Sequence, residues 1–529
     1  MHRRVMMIGL DGFDPLLAEG LIAAGRLPAF KRFRDAGTTV ALEHGSARRT
    51  GLAWEHVSTG LSPEDANRWS AVDFDPRTYR AVQLPTRNLP FPARIHVPTV
   101  VFDVPYFDLA RAPEVRGIVN WAAHDPGVAQ TARPESLADE IDRRFGVYPA
   151  REWIYGFVWP STARAERMGR ALNEAVDQRF RIAEWMFAER FPDWRLGIMV
   201  VSEFHSAAEA MWHGVDPGHP LHEQASSEAA RRGLEGVYEA ADRALERLSQ
   251  RFPDVVFVLF NLHGMGANDS DAPSMVLLPE LLFRHSFRRV LLDGGRWPTD
   301  RFGVPLLRED EDWHAAMMGR LGLGVRLRHL LAAARDRLLG HLAGSPIDHE
   351  LRWMPASHYQ RFWSRMPAFA LPAFYDGRIR INLAGREAQG RVQPKDYDAV
   401  CDALEALVRV CRNPITGEES VASVERNARP PLALQASEAD MVVVWKPATL
   451  GLSHPTLGTI GPVPYRRTGG HAGGPGFAWL GGPGIRKGRL PVRSAFDVVP
   501  TVLDLLDAGC TGISGRSFAA DALASNGFA

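Results

Sequence analysis

The sequence predicts an α/β fold: a doubly wound, mostly parallel sheet flanked by helices. Three observations carry this. Short apolar runs without a helical period recur at 5–10, 196–202 and 255–260, and such runs read as buried parallel strands. Amphipathic stretches separate them, as a strand–helix–strand succession requires. Each run ends in polar residues, among them Asp11, Glu203 and His263, and ligands of open α/β sheets collect at those carboxyl ends.

At 529 residues the chain exceeds one compact core, so two or more structural units are expected. Lys plus Arg number 62 and Asp plus Glu 62, which leaves no global field to recruit a nucleic-acid polymer or an anionic membrane. Cys401, Cys411 and Cys510 form no C-x-x-C pattern; this excludes a disulfide framework and a thiolate metal cage and suits a reducing compartment. The basic opening Met1-His2-Arg3-Arg4 precedes an apolar run too short for an export signal, and no stretch reaches the length of a membrane span. A cytoplasmic protein is expected, without repeats or low-complexity tracts.

In chain order, the run 5–10 stops at Asp11-Gly12. A carboxylate at the end of a buried strand is costly unless paired or bound to a cation, so Asp11 is either a helix cap or a ligand. Asp14-Pro15 opens a helix at 15–24, with an acid as N-cap and proline at the first position. A helix at 29–36 and a strand at 38–42 follow. The stretch Ser46-Ala47-Arg48-Arg49-Thr50-Gly51-Leu52-Ala53-Trp54 leads into a helical segment ending at Thr59-Gly60. Small residues and a hydroxyl at a loop-to-helix junction suit an exposed nucleophile or an anion site.

Residues 61–96, rich in Pro, Arg and aromatics, read as a loop-dominated insertion. Strands are expected at 99–104 and 115–121, the second leading into His124-Asp125-Pro126-Gly127, where His124 is a candidate substrate contact or part of a plain turn. Two long helical stretches flank 196–202. Residues 286–375 carry many Arg, Trp and Pro and an Arg-studded amphipathic helix at 315–343; in a chain of zero net charge this reads as a packed insertion rather than a membrane-surface helix. Residues 378–382 alternate as a half-buried strand does, and Gly385-Arg386-Glu387 after them suits an anion site or a turn. The core is expected to resume through a helix at 397–410, a strand at 441–445, the glycine-rich loop 468–474 and a closing helix at 496–506. The domain plan is a first core part at 1–285, an insertion or cap at 286–375 and the remainder of the core at 376–529.

Residues 203–213 carry the chemistry. In a helix His205, Glu209 and His213 fall at i, i+4 and i+8 on one face, where two or three of them can meet one ion, or each histidine is a singly satisfied polar residue; imidazole and carboxylate are zinc ligands. His263 and His471 also follow a strand or lie in a glycine loop, as Asp11 follows its strand. A two-metal centre draws its ligands from several strand ends in this way.

Gly-Leu-Asp-Gly at 9–12, Thr-x-x-Ala-Trp-x-x-x-x-Thr-Gly at 50–60, a ligand-bearing helix ending in Trp212, His-Gly-Met-Gly at 263–266 and Gly-Gly-His at 469–471 follow in an order that resembles the alkaline phosphatase superfamily. Within it the chain is most similar to the type I phosphodiesterase/nucleotide pyrophosphatase group, whose pattern Gly25-Arg26-Leu27-Pro28 and Asp497-Val498-Val499-Pro500-Thr501 also match. The resemblance implies an alkaline phosphatase-like fold, two divalent metal ions with zinc preferred to manganese, and hydrolysis of a small-molecule phosphate ester, a diester before a monoester. Position by position it implies Thr50 as the nucleophile bridging the metals, Asp11 and His263 around one ion, and His205, Glu209 and His471 around the other. Glu203 and His213 are further candidate ligands, and Arg48 and Arg49 candidate phosphate-binding residues.

The chain departs from the family pattern at the metal ligands. His205 stands at the family's Asp and Glu209 at its His, an exchange of ligand types. Leu262 replaces the acid of the family's Asp-His-Gly and leaves the ion of Asp11, Thr50 and His263 an incomplete shell. Two rivals accompany this reading. One is a catalytically impaired relative acting as a binding protein; the other is a hydrolase of a phosphomonoester, phosphonate or sulfate, with Thr50 speaking against the sulfate. The sequence carries no sign of an oligomeric state.

Overall fold

The structure, a computed structural model, describes residues 3–122, 129–154, 161–308, 311–322 and 351–524. Its core among these residues is a ten-stranded sheet centred on the strand Arg4–Leu10. That strand pairs in parallel with Leu196–Val201 on one side and Val255–His263 on the other. Beyond Leu196–Val201 lie Thr99–Phe102 and Arg116–Val119, both parallel, and then antiparallel Thr131–Arg133. Beyond Val255–His263 lies antiparallel Pro475–Gly481, followed by Thr38–Glu43.

Side chains of a strand alternate between faces, and here both faces are apolar. Met6, Ile8 and Leu10 point into a core shared with the helices Pro15–Ala23, Pro28–Ala36, Thr162–Trp185 and Ser227–Arg251. Val5 and Met7 point into a second core with the helices Ala53–Thr59 and Val498–Leu505. This is the doubly wound α/β arrangement expected, with antiparallel members at its flanks. Among the described residues no helix is long and apolar enough to cross a membrane.

A second unit holds what was expected to resume the core. Ala368–Leu371, Gly377–Ile381, Met441–Trp445 and Val421–Arg426 form a separate four-stranded antiparallel sheet, and the main sheet resumes only with Pro475–Gly481. The region 61–96 contributes to this second unit. It contains a hairpin, Val72–Asp75 with Arg80–Gln83, whose Val72, Phe74 and Ala81 join the second unit's apolar cluster.

Gly377–Ile381 is buried throughout rather than on alternate residues. Its arginines are covered and bonded at their ends: Arg378 donates through Nη1 and Nη2 to the carbonyls of Trp69 (2.9 Å) and Ser437 (2.7 Å), and Arg380 pairs with Glu387 at 2.8 Å. Arg386 binds Glu387 (2.8 Å) and Asp440 (2.7 Å), so Gly385-Arg386-Glu387 is a turn stapled by ion pairs and not an anion site. Of the amphipathic helix expected at 315–343, Trp313–Met318 is helical; the stretch from 323 onward, like His124, lies outside the described residues.

Candidate metal centre

Three core strands deliver the site. Asp11 follows Arg4–Leu10, and its N–H still bonds to the Val201 carbonyl at 3.1 Å. Gly12 then takes φ +79°, and a Cβ there would stand 2.4 Å from the His205 Cα. Only glycine lets the first strand's end meet the first turn of the helix Glu203–Val215 so closely. His205 and Glu209 occupy successive turns of that helix, with Nε2 and Oε1 3.0 Å apart. The glycine loop arrives from the opposite side. Gly469–Gly470 pairs antiparallel with Gly266–Ala267, and His471 then lies against His205, Nε2 to Nε2, at 2.9 Å. The other nitrogen of His471, Nδ1, is 3.0 Å from His263 Nε2.

One ligand atom from each of His205, Glu209 and His471 lies within 4.8 Å of the others. Ligands at about 2.1 Å from a zinc-sized ion stand about 3.4 Å apart in a tetrahedral shell, near the 3.0 Å from His205 to Glu209 and the 2.9 Å from His205 to His471, so the donor set fits such an ion. Burial pulls the His205 and His263 imidazoles down to about 4, so both are neutral near pH 7, the form that ligates. Burial also raises the Asp11 carboxyl, opposed by His205 and by a hydrogen bond from Trp54. Beside the cluster, Arg467 pairs with Glu209 through Nη1 and with Asp271 through Nε at 2.8 Å, while Arg466 reaches the same Asp271 at 2.6 Å. Asp11, His205, Glu209, His263 and His471 all open onto one cavity of about 470 Å³. Its walls are largely aromatic, from Trp54, Tyr106, Trp353, Phe374 and Tyr375.

The other expected site residues stand elsewhere. Thr50 ends the turn Gly45–Thr50; its hydroxyl donates to the Ala47 carbonyl at 2.7 Å and accepts from the Leu52 N–H at 3.1 Å. It lines a neighbouring cleft of about 730 Å³, and from its stretch Gly51, Ala53 and Trp54 face the cavity instead. Arg49 is held by Asp376 (3.0 Å) and Glu425 (2.6 Å). Arg48 donates to the Gly473 carbonyl at 3.4 Å and lines a third cleft beside His263. Glu203 does not reach the cavity, because it is buried against Arg179 at 2.9 Å and the Tyr148 hydroxyl at 3.1 Å. His213 places Nε2 on Ser226 (3.1 Å) and Nδ1 on Thr468 (3.3 Å). Leu262 is buried beside His263, and no carboxylate stands at its position.

Several residues here were not singled out from the sequence. His44 Nδ1 lies 3.4 Å from His263 Nδ1, and His44 Nε2 lies 3.0 Å from His56 Nδ1, which extends the imidazole chain away from the cavity. His44 does follow a strand, Thr38–Glu43, a cue of the same kind that singled out Asp11. Arg466 and Arg467 stand directly before the glycine loop.

No protein-family model and no curated protein matches the sequence. Solved structures do. A mutant of alkaline phosphatase PafA aligns with a TM-score of 0.51 at 12% identity, over 99% of this chain and 100% of that one. The wild-type PafA gives 0.50 at 11% over the same shares. Phosphonoacetate hydrolase from Sinorhizobium meliloti 1021, in complex with phosphonoformate, gives 0.50 at 12% over 96% of each chain. The chain has the alkaline phosphatase-like fold. In this alkaline phosphatase-like chain the histidine and carboxylate cluster gathers at the carboxyl ends of the central parallel strands, where α/β sheets bind their ligands.

Proposed function

We propose that the protein is a metal-dependent hydrolase of a small phosphate-class ester, with a divalent ion held by His205, Glu209 and His471. The observation that carries this is the donor set itself, buried His205 with half-buried Glu209 and His471, three ligand atoms within 4.8 Å of one another facing a cavity. Two imidazoles and one carboxylate with an open position are a catalytic zinc set. A divalent ion bound there supplies Lewis-acid charge to an ester oxygen. The named neighbours in fold space, an alkaline phosphatase and a phosphonoacetate hydrolase, support the class of ester and not a particular substrate.

The chain's own residues then have assignable parts. Arg466 and Arg467 put guanidinium charge on the cavity for a phosphate oxygen to meet. Trp54, Trp353 and Phe374 keep water off the reacting ester. Thr50 is the nucleophile in this reading: its hydroxyl would turn from the Ala47 carbonyl, its Oγ1 forming the bond to phosphorus while its proton passes to the departing alkoxide, and one water would then cleave the phospho-threonine to give the phosphate product and free Thr50. A diester before a monoester rests on the sequence resemblance. A second reading, a protein that binds an ion and a phosphate ligand without turnover, is favoured by the Thr50 hydroxyl, which is engaged with Ala47 on the side of the neighbouring cleft.

Elemental analysis and turnover of an aryl phosphodiester and an aryl phosphate test these readings together. Wild-type protein incubated with zinc or manganese is expected to retain the ion, His471→Ala to lose it, and Thr50→Ala to keep it without turnover. Absence of bound metal in the wild type sinks the metal reading. Equal rates for wild type and Thr50→Ala remove Thr50 as nucleophile, and metal binding with no turnover of either ester selects the binding protein.

A further inference from the structure

We propose that Arg467 is an internal cation that competes with the divalent ion for Glu209 and, once displaced, becomes the group that binds the substrate's anion. This rests on the metal reading above and adds a coupling to it.

The argument starts from charge. Arg467 is buried, with a side chain 7% exposed, and its guanidinium spans two carboxylates, Glu209 and Asp271. Asp271 already has a second cation in Arg466, at 2.6 Å. Without an ion, two guanidinium groups face two carboxylates and the group is balanced. When Glu209 turns its charge to a divalent ion, Arg466 and Arg467 are left sharing Asp271 alone. One guanidinium charge is then in excess, beside a cavity that both arginines line. Asp11 is present in both states and drops out of the comparison.

A buried charge without a partner is strongly unfavourable, so this state calls for an anion in the cavity. A planar guanidinium is well suited to a phosphate oxygen pair. The backbone permits the exchange without refolding. The Thr468 N–H donates to the Glu209 carbonyl at 2.8 Å, which pins the chain next to Arg467 to the ligand helix whichever partner Glu209 takes. Arg467 also keeps Asp271, through Nε at 2.8 Å and Nη2 at 3.3 Å, while Nη1 alone is released. A purely structural arginine would be turned away from the cavity; this one forms part of its wall.

Metal and anion then help one another, and by linkage each raises the other's affinity by the same factor. The test is a zinc titration of the full chain at chelator-buffered zinc activity, with and without inorganic phosphate, on wild type, Arg467→Gln and Arg467→Lys. In the wild type, phosphate is expected to tighten zinc by about tenfold, within the usual range of coupling between sites. Arg467→Gln, relieved of the competitor, is expected to bind zinc more tightly than wild type without phosphate, and to show no tightening with it. Arg467→Lys cannot span both carboxylates, so it is expected to bind zinc more tightly while retaining part of the phosphate effect.

Zinc binding that is weaker or unchanged in Arg467→Gln overturns the proposal, as does equal phosphate coupling in both proteins. A wild type that binds zinc with no response to phosphate overturns it without help from any variant and leaves the metal reading standing. A wild type that binds no zinc overturns both.

Discussion

Replacing Arg179 by methionine is the sharpest test of how the helix Glu203–Val215 is held. The Arg179 side chain is 0% exposed. Its Nε donates to both oxygens of Glu203 at 2.9 Å, Nη1 to Asp103 at 2.8 Å and to the Val200 carbonyl at 3.0 Å, and Nη2 to Ser202 at 3.0 Å. Burial alone pulls the guanidinium down, yet Glu203 and Asp103 hold it above its ordinary value. Methionine matches the length of the stem and leaves two buried carboxylates without a cation. Breaking a buried pair from one side costs about 3–5 kcal/mol, and at 1.4 kcal/mol per tenfold that is roughly two to four decades in the folding equilibrium. Urea unfolding at pH 7 reads it as a lower midpoint at unchanged slope. Adding Glu203→Gln removes one stranded charge and is expected to restore part of the loss. A deficit under about 1 kcal/mol, against the buried-pair figure, or one that Glu203→Gln leaves unrelieved, refutes the reasoning.

Two further predictions concern groups at a distance from one another. Burial, with Asp216 adding to it, pushes the Asp269 carboxyl up to about 6 from the ordinary 3.8. Because the folded value is raised, wild-type stability falls as pH climbs through that window; Asp269→Asn escapes this and is expected to gain up to about 3 kcal/mol at pH 7 and nothing below pH 3.8. Asparagine still accepts from the Ala448 N–H at 3.1 Å, so a melting-temperature gain independent of pH counts against the titration. Gly12→Ala meets both a φ of +79° and the His205 backbone. The left-handed conformation alone costs about 1–2 kcal/mol, and the collision moves His205, so zinc affinity is expected to fall with stability; unchanged affinity means that the close approach does not position the ligand.

Local pattern made much of this chain legible, and pairing at a distance did not. Apolar continuity located the strands Arg4–Leu10 and Leu196–Val201, and the i, i+4 spacing placed His205 and Glu209 together, because both signals are written within one element. Which sheet a strand joins is written nowhere in the strand. Met441–Trp445 reads like a core strand and pairs instead with Gly377–Ile381, through contacts set by distant segments. The alternation at 378–382 promised exposed arginines, and carbonyl oxygens at Trp69 and Ser437 buried Arg378 instead. Thr50 was singled out by residue order alone, and the direction of its hydroxyl, toward the Ala47 carbonyl, depends on the turn that ends at it. The Arg467–Glu209 pair joins a helix to a loop more than two hundred residues later, and neither residue type announces the other.

Leu262 belongs both to an apolar row and to the rim of the cavity. On Val255–His263, Val256, Val258, Phe260 and Leu262 share the face that enters the apolar core with Val40 and Ala478. Val255, Phe257 and Leu259 belong to the opposite face, to which period two also assigns Asn261 and His263. An acid at 262 would therefore stand at the end of an apolar row, where an unpaired carboxylate is strongly unfavourable and only a bound cation makes it tolerable. Leucine removes that dependence and continues the row. His263 meanwhile keeps its contacts with His471 and His44, which need no ion to form. Leu262 thus ends the apolar row while bordering the same cavity as His263, and beside that cavity Arg466 and Arg467 join the carboxylates of Glu209 and Asp271.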